Sequence, residues 1–112
     1  MDNLKIDLSE RKCVPCSGNE KPLQSDEIKK LLDKIKNGWQ VIDNKKLRNN
    51  YPFENFKRGM LFVQDIAALA EQEQHHPDIC IHYSNVEVEL TTHAIGGLSE
   101  NDFIMAAKID NL

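Results

Sequence analysis

The sequence predicts an α+β fold: a four-stranded antiparallel sheet with helices packed on one face, in the order α-β-β-α-β-β-α. Apolar residues recur at helical spacing in three separate segments. Four short segments have sequence patterns typical of β-strands, and a polar turn joins each of the two consecutive pairs. The 112 residues are enough for one hydrophobic core and too few for two. We therefore expect a flexible N-terminal arm over residues 1–22 and a single domain over residues 23–112.

The predicted arm is polar and contains Pro15, Gly18 and Pro22 without a sustained apolar period. It also carries the pair Cys13-Val-Pro-Cys16. Such a CxxC pair holds half of a zinc site or acts as a redox pair. No second CxxC or CxxH follows in the sequence, so we favour two free thiols. Three cysteines without an export signal indicate reduced thiols in a cytoplasmic protein.

Composition and charge exclude several classes of function. Fourteen Lys and Arg against eighteen Asp and Glu leave a net charge of −4, whereas binding to nucleic acid through phosphate contacts needs a basic face. No apolar run in the sequence approaches the roughly 18–20 residues that cross a bilayer. The first residues lack the basic start and the apolar stretch of a signal peptide. We expect a small acidic domain that binds neither nucleic acid nor membrane.

The first half of the domain is predicted to be a helix followed by two strands. The helix is expected to begin at Ser25, an effective N-cap residue, and to end at Asn37-Gly38. The strands are expected over residues 39–43 and 47–53, joined by a polar turn. The apolar stripe of the helix is formed by Ile28, Leu31, Leu32 and Ile35.

A long second helix is predicted over residues 54–74, with two adjacent apolar stripes. This width exceeds what contact with one sheet needs, so part of the helix is expected to meet another subunit. The alternative is a fully intramolecular core. Pro77 is expected to stop the helix, because a proline pushes the preceding His76 into an extended conformation. His75 then lies at the helix end, where the dipole favours an imidazolium.

The next segment is predicted to be a hairpin with the two-residue turn Ser84-Asn85, since Asn tolerates positive φ. The same register carried outward places His76 opposite His93, with their Cβ atoms roughly 5 Å apart. The hairpin is thus expected to bring His93 to the corner formed by His75 and His76, while His82 falls on the polar face. The apolar cross-strand pairs in this register are Tyr83–Val86, Ile81–Val88 and Ile79–Leu90.

The last helix is predicted to begin after Ser99, which forms a capping box with Asp102 three residues later. Leu98 and Phe103 occupy the positions of a hydrophobic staple. The sequence therefore gives Asp102 a structural role, and a second role at the histidine corner stays open beside it.

Three histidines at one corner suit two kinds of chemistry. Three neutral imidazoles hold zinc with one coordination position open. Alternatively, one imidazole donates a proton while its neighbour accepts one, because imidazole titrates near neutral pH. The spacing alone leaves both open. Glu71 lies four residues before His75 on the same helical face, where it would orient that histidine. The alternative is an exposed glutamate without a role at the site.

The residues of this region resemble a family signature. From the long helix onward the sequence reads Glu71-x3-His75-His76-Pro77-x5-Tyr83-x9-His93-x8-Asp102. This pattern is similar to that of the pterin-4a-carbinolamine dehydratases, and the resemblance extends over about residues 23–112. Upstream it includes Asn37-Gly38-Trp39, Phe53, Phe56 and Phe62.

The resemblance implies that the protein dehydrates a 4a-hydroxytetrahydropterin to the quinonoid dihydropterin, without metal or cofactor. It further implies a homodimer or homotetramer and a functional link to phenylalanine hydroxylase, whose pterin would be recycled. A non-catalytic dimerisation or interaction module is the alternative function, because animal relatives also act as partners of a transcription factor. The implied catalytic residues are His75, His76 and His93. The residues expected to bind substrate are Glu71, Pro77, Thr92 and Asp102.

Overall fold

The computed structural model describes residues 7–15, 17–36 and 38–112. Its elements are α1 (Ser25–Leu32), β1 (Gln40–Ile42), β2 (Lys46–Pro52), α2 (Phe56–Glu73), β3 (Asp78–His82), β4 (Asn85–Leu90) and α3 (Glu100–Asp110). The four strands form one antiparallel sheet in the spatial order β1-β2-β4-β3. The predicted α+β fold and its element order are therefore confirmed. Within the described ranges, no helix has both the length and the apolar character required to cross a membrane.

The helix α1 differs from its prediction at both ends. Its N-cap is Gln24, one residue before the predicted Ser25, and the Gln24 N–H donates to Glu27 Oε1 at 2.9 Å. The helix ends at Leu32, ahead of the predicted end at Asn37-Gly38, of which Asn37 lies outside the described residues.

The early end of α1 has a local cause. The Lys34 N–H donates to the Leu31 carbonyl and the Ile35 N–H to the Leu32 carbonyl, in both cases three residues back. Bonds of this spacing tighten the chain into a 3₁₀ turn and end the α-helix. Ile35 still packs against the hydrophobic core from outside the helix.

The strands β1 and β2 agree with the prediction to within one residue at each end. The turn between them places Asp43 at φ 54° and Asn44 at φ 58°. Both side chains are short and polar, the kind that tolerates the left-handed conformation that tight hairpins need. β2 then pairs with β1 on one side and β4 on the other, so it fixes the centre of the sheet.

The helix α2 ends at Glu73, because Gln74 adopts a left-handed conformation with φ 55°. The N–H groups of Gln74 and His75 both donate to the Ala70 carbonyl, which closes the helix end. The prediction that Pro77 stops this helix was wrong, because the helix already ends at Glu73, four residues before Pro77. His75 and His76 therefore lie in the segment between α2 and β3 and not on the helix itself.

The hairpin of β3 and β4 differs from its predicted register by two residues. Ile79 lies opposite Val88 and Ile81 opposite Val86, and Tyr83 enters the turn with φ 54°. A shift of two residues keeps every side chain on its face of the sheet, so apolar residues still pair with apolar ones. The expected pairing of His76 with His93 was wrong, because β3 begins only at Asp78.

The neighbouring strand β2 explains this register. Asn85 pairs with Pro52 and its side chain donates to Asn50 Oδ1 at 3.0 Å, so Asn85 is a strand residue and not a turn residue. Tyr83 leaves the sheet and stacks on Phe56, with ring centroids 6.4 Å apart. The pattern of β3 and β4 alone carries no information about these contacts.

The helix α3 is the most buried helix of the fold. Residues 101–107 and Ile109 are all buried in it, and the predicted capping box between Ser99 and Asp102 is confirmed. The predicted staple residues Leu98 and Phe103 are fully buried. The remaining core comes from the sheet and α2, chiefly Leu47, Ile66, Val86, Val88 and Leu90.

The described part of the N-terminal arm lies against α3. Leu8, in a short 3₁₀ helix, is only 3% exposed and joins the hydrophobic core. Lys108 Nζ donates to the Ser9 carbonyl at 2.8 Å, and Arg11 pairs with Glu100 at 2.7 Å. The division of the chain into an arm over 1–22 and a domain over 23–112 stays a prediction, but residues 7–15 make extensive contacts.

Candidate active site

The three histidines predicted to be catalytic line one cavity, together with Thr92. Its volume is about 270 Å³, just below the roughly 300–1,000 Å³ typical of small-molecule sites. The cavity forms where the segment after α2, the segment after β4 and the N-terminal arm converge. Its lining residues are Val14, Pro15, Gln74, His75, His76, Thr91, Thr92, His93, Ala94 and Asn101.

His75 contacts the carboxylate of Asp102: its Nε2 lies 2.6 Å from Asp102 Oδ1. The imidazole is 12% exposed and the carboxylate is fully buried. An ionised carboxylate only accepts hydrogen bonds. In that state Nε2 carries the hydrogen, and Nδ1 is the ring atom left to exchange a proton. Asp102 thereby fixes the orientation of His75.

The carboxylate of Asp102 has further partners from its own surroundings. Oδ2 accepts the Thr92 hydroxyl at 2.8 Å and the Ser99 N–H at 2.9 Å. The Thr92 and Ser99 hydroxyl oxygens are themselves 2.7 Å apart. The two roles foreseen for Asp102, helix capping and contact with the histidine corner, therefore coexist. A buried carboxylate with three donors is held in one position by the fold.

His76 points to a different carboxylate from its neighbour. Its Nε2 lies 2.6 Å from Glu71 Oε2, and both side chains are well exposed. The expectation that Glu71 orients His75 was wrong. The left-handed Gln74 turns the chain between the two, so His75 no longer lies on the helical face of Glu71.

His93 reaches the cavity from the opposite side, on a 3₁₀ helix that follows β4. This loop is closed by Thr92 and Gly97, whose backbone groups pair in both directions at 2.9 and 3.4 Å. Gly96 takes φ 68° at the end of the loop, a conformation that glycine adopts without strain. The loop, and not a cross-strand pair, brings His93 to the other histidines.

Several residues of the cavity were not anticipated from the sequence. Val14 and Pro15 form one wall, and Asn101 beside Asp102 contributes another part. No periodicity or motif singles out these residues, since the arm reaches α3 only through the tertiary fold. Of the predicted substrate-binding residues, Pro77 does not line the cavity, and Glu71 reaches it only through His76.

The described cysteine of the arm is a protected thiol. Burial, with the nearby Glu73 carboxylate, raises the pKa of Cys13 from 9.0 to about 12. A thiol held in this protonated state is a poor nucleophile and a poor metal ligand. Cys16 lies outside the described residues. In the part of the chain that the structure describes, no group of three His, Cys, Asp or Glu side chains is arranged to hold a metal ion.

The comparison with family models shows the family of the chain. A model described as pterin 4 alpha carbinolamine dehydratase matches residues 21–112. The chain belongs to this family. A relative from Nitrosomonas eutropha, provisionally named a pterin-4-alpha-carbinolamine dehydratase, is 49% identical over 106 residues, covering 95% of this chain and 93% of the relative. The resemblance noted in the sequence is thus confirmed.

Solved structures show the same dehydratase-family fold. The crystal structure of a transcriptional coactivator/pterin dehydratase from Brucella melitensis matches with a TM-score of 0.76 and 30% identity, covering 81% of this chain and 97% of that chain. A pterin dehydratase-like protein described as a RuBisCO assembly factor in the alpha-carboxysome matches at a TM-score of 0.57 and 22% identity, over 66% of this chain and 87% of that chain. At this lower identity the likeness concerns the fold alone.

Proposed function

We propose that the protein is a 4a-hydroxytetrahydropterin dehydratase, which releases water and the quinonoid dihydropterin. The observation that carries this proposal is the meeting of His75, His76 and His93 at one small cavity, with a carboxylate behind two of them. Membership of the dehydratase family supports it.

The proposed reaction needs two proton transfers at adjacent atoms. One imidazolium protonates the 4a-hydroxyl group as the C4a–O bond breaks, and water leaves. A second, neutral imidazole removes the proton from N5, and the electron pair of that N–H bond forms the N5=C4a double bond. Proton gain and loss balance, so the site returns to its starting state after the protons redistribute between the imidazoles. No change in redox state occurs, and no cofactor enters the reaction.

The carboxylates support this chemistry. An imidazole that accepts a proton becomes a cation, and an adjacent carboxylate lowers the energy of that cation. Asp102 supplies this support to His75, and Glu71 supplies it to His76. We assign His75, His76 and His93 as the catalytic residues, with Asp102 and Glu71 as positioning residues. Thr92 and Pro77 complete the proposed set: Thr92 lines the cavity, and Pro77 follows His76 in the sequence.

A dehydratase assay tests the proposal directly. The 4a-hydroxytetrahydropterin is generated in solution, and its loss is followed by absorbance with and without purified protein. Replacing His76 or His93 with Ala is expected to lower the catalysed rate by at least about 100-fold, the scale of general acid–base catalysis. His82→Ala is the matched control, because His82 is exposed and lies outside the cavity. Full activity in both cavity variants would contradict the proposal.

A homodimer or homotetramer is part of the same proposal. Phe56 on α2 is 47% exposed and stacks on Tyr83, which is 71% exposed. Large apolar side chains grouped at the surface are typical of an interface. Phe56→Glu is expected to lower the molecular mass measured by light scattering, whereas Gln40→Glu on strand β1 is not. A monomeric wild type would contradict this part.

We further propose that the protein acts in the cytoplasm, where it would return the pterin used by phenylalanine hydroxylase to recycling. An interaction module remains the second candidate, and the exposed apolar pair of Phe56 and Tyr83 favours it. In a strain that lacks the protein, rescue by His76→Ala and His93→Ala but not by Phe56→Glu would support this second function over catalysis.

A further inference from the structure

We propose that Val14 and Pro15 of the N-terminal arm form a substrate-positioning wall of the histidine cavity, and that Asn101 is the positioning residue that holds this wall. The inference rests on the proposed function, because it takes the occupant of the cavity to be a pterin ring. It assigns a role in substrate binding to a segment that precedes the residues matched by the family model, 21–112.

The arm is attached to the cavity by a specific pair of hydrogen bonds. The Val14 N–H donates to Asn101 Oδ1 at 2.9 Å, and Asn101 Nδ2 donates to the Val14 carbonyl at 2.6 Å. The Asn101 amide thus bonds both backbone groups of Val14, as the backbone of a neighbouring β-strand would. This pairing fixes both the position and the direction of the chain at Val14.

A second attachment lies one residue earlier. The Cys13 N–H donates to Glu73 Oε1 at 2.9 Å, and the Cys13 thiol contacts the Asn101 carbonyl at 3.7 Å. Glu73 is buried at the end of α2, only two residues before His75. The arm is therefore tied to the same two helix ends that carry His75 and Asp102.

The side chain of Val14 is not packed into the hydrophobic core. It is 68% exposed, although hydrogen bonds to Asn101 hold its backbone. Val14 and Pro15 line both the histidine cavity and a second cavity of about 210 Å³. Two apolar residues at the wall of the histidine cavity are suited to contact one face of a flat ring.

The wall and the catalytic groups share one support. Asn101 and Asp102 are consecutive residues in the first turn of α3: one holds Val14 and the other holds His75. Because a single helical turn sets both distances, the spacing between the apolar wall and the imidazole is fixed by the backbone. A planar pterin placed between them would be held with its reacting atoms at the histidines.

Substitution of Val14 gives the first test. Val14→Gly is expected to raise KM and the Kd of a stable pterin without a 4a-hydroxyl group by roughly threefold to tenfold, as for loss of one apolar contact, with kcat little changed. Val14→Ile keeps the apolar wall and is expected to stay near wild type. Lys12→Gly is the matched control, since it adds the same backbone freedom to an exposed position of the arm outside the cavity.

Asn101→Ala gives the second test, because it removes both bonds to Val14 while leaving the wall residues in the sequence. It is expected to raise KM and the pterin Kd at least as much as Val14→Gly, with the thermal unfolding temperature measured in parallel. Unchanged KM and Kd in both variants would overturn the inference. A wild type that binds the pterin but does not accelerate dehydration would overturn the proposed function alone, and the Kd values would still decide the role of the wall. A wild type that binds no pterin would overturn both.

Discussion

Two adjacent histidines, His75 and His76, make the same contact in opposite surroundings. Each places Nε2 2.6 Å from a carboxylate oxygen. His75 is 12% exposed and its partner Asp102 is fully buried, whereas His76 is 56% exposed and Glu71 is 74% exposed. Asp102 is also bound by Thr92 and Ser99, while Glu71 stands on the open surface of α2.

The difference between the two pairs shows that distance alone does not measure an interaction. An exposed pair exchanges contacts with water and ions, so its net contribution is small. A buried carboxylate with three donors has no water to replace a lost partner, so removal of any one partner is costly. We therefore expect the two pairs to respond very differently to equivalent substitutions.

The largest effect is expected for Asp102→Asn. The amide keeps the shape of the carboxylate but cannot balance a charge on His75, so dehydratase activity should fall by about 100-fold or more. The free energy of unfolding should fall by about 2–3 kcal/mol, because buried charge-assisted hydrogen bonds are lost. Urea denaturation and the absorbance assay measure the two effects. If Asp102→Asn kept both the wild-type activity and the wild-type unfolding free energy, the expected difference between the buried and the exposed pair would be contradicted.

Thr92→Val should have an intermediate effect. Valine has the shape of threonine without the hydroxyl group, so Asp102 and Ser99 each lose one buried partner. We expect the free energy of unfolding to fall by about 1–2 kcal/mol. Thr91→Val is the comparison variant, because its hydroxyl donates to the Lys45 carbonyl at an exposed contact. Equal losses in the two variants would show that the network around Asp102 has no special rigidity.

Glu71→Gln should have a small effect on stability, about 0–1 kcal/mol, because the pair with His76 is exposed. Activity is expected to fall by only a few-fold. Raising the ionic strength to about 1 M should reduce the difference between Glu71→Gln and wild type, since salt screens exposed charges. The same salt should leave the difference between Asp102→Asn and wild type unchanged. If Glu71→Gln lost as much activity as Asp102→Asn, the expectation that the buried pair matters more than the exposed pair would be contradicted.

The smallest effect is expected on the pKa of Cys13. This pKa compares the influence of the buried Glu73 with that of the exposed Glu71 and does not depend on an activity assay. Burial and then Glu73 raise the pKa of this thiol to about 12. Glu73→Gln should lower this pKa, whereas Glu71→Gln, on the exposed side of the same helix end, should not. The rate of alkylation as a function of pH, in a background with Cys16 and Cys80 replaced by Ser, measures it. Equal pKa values in the two variants would contradict the expectation.

The raised pKa of Cys13 also sets the sign of a stability change in alkali. The folded protein holds the thiol proton more tightly than the unfolded chain, whose thiol has the ordinary pKa of 9.0. The stabilising contribution is therefore complete below pH 9 and is lost as the pH rises toward 12. Cys13→Ser should flatten the decline in unfolding free energy over this range.

The fold was predictable because most of its signals are local. Helical periodicity, the capping box at Ser99 and the polar turn at Asp43 and Asn44 act within a few residues. The failures arose where a distant element decides. The hairpin register depends on contacts of Asn85 with β2, and the end of α2 depends on the backbone conformation of Gln74, a residue type without a strong preference for positive φ.

The sequence predicted that His75, His76 and His93 lie together, but not which carboxylate each contacts. All three line the cavity, although the loop after β4 and not the predicted cross-strand pair brings His93 there. The partners did not follow, because Glu71 was assigned to His75 by sequence spacing and Asp102 was assigned to no particular histidine. In the structure, the turn at Gln74 directs the two neighbouring histidines to carboxylates on different helices: His75 contacts Asp102 on α3, and His76 contacts Glu71 on α2.

The attachment of the arm to α3 has a consequence for biosynthesis. Ser9 contacts Lys108 and Val14 contacts Asn101, so the arm is held by residues 99 and 87 positions later in the sequence. Contacts between residues so far apart in sequence are slow to form, because they close long loops. The hairpin and the His76–Glu71 pair need no residue beyond Leu90. The completed cavity must wait for α3, so an unfinished chain holds the histidines without the support of Asp102 or the wall of Val14.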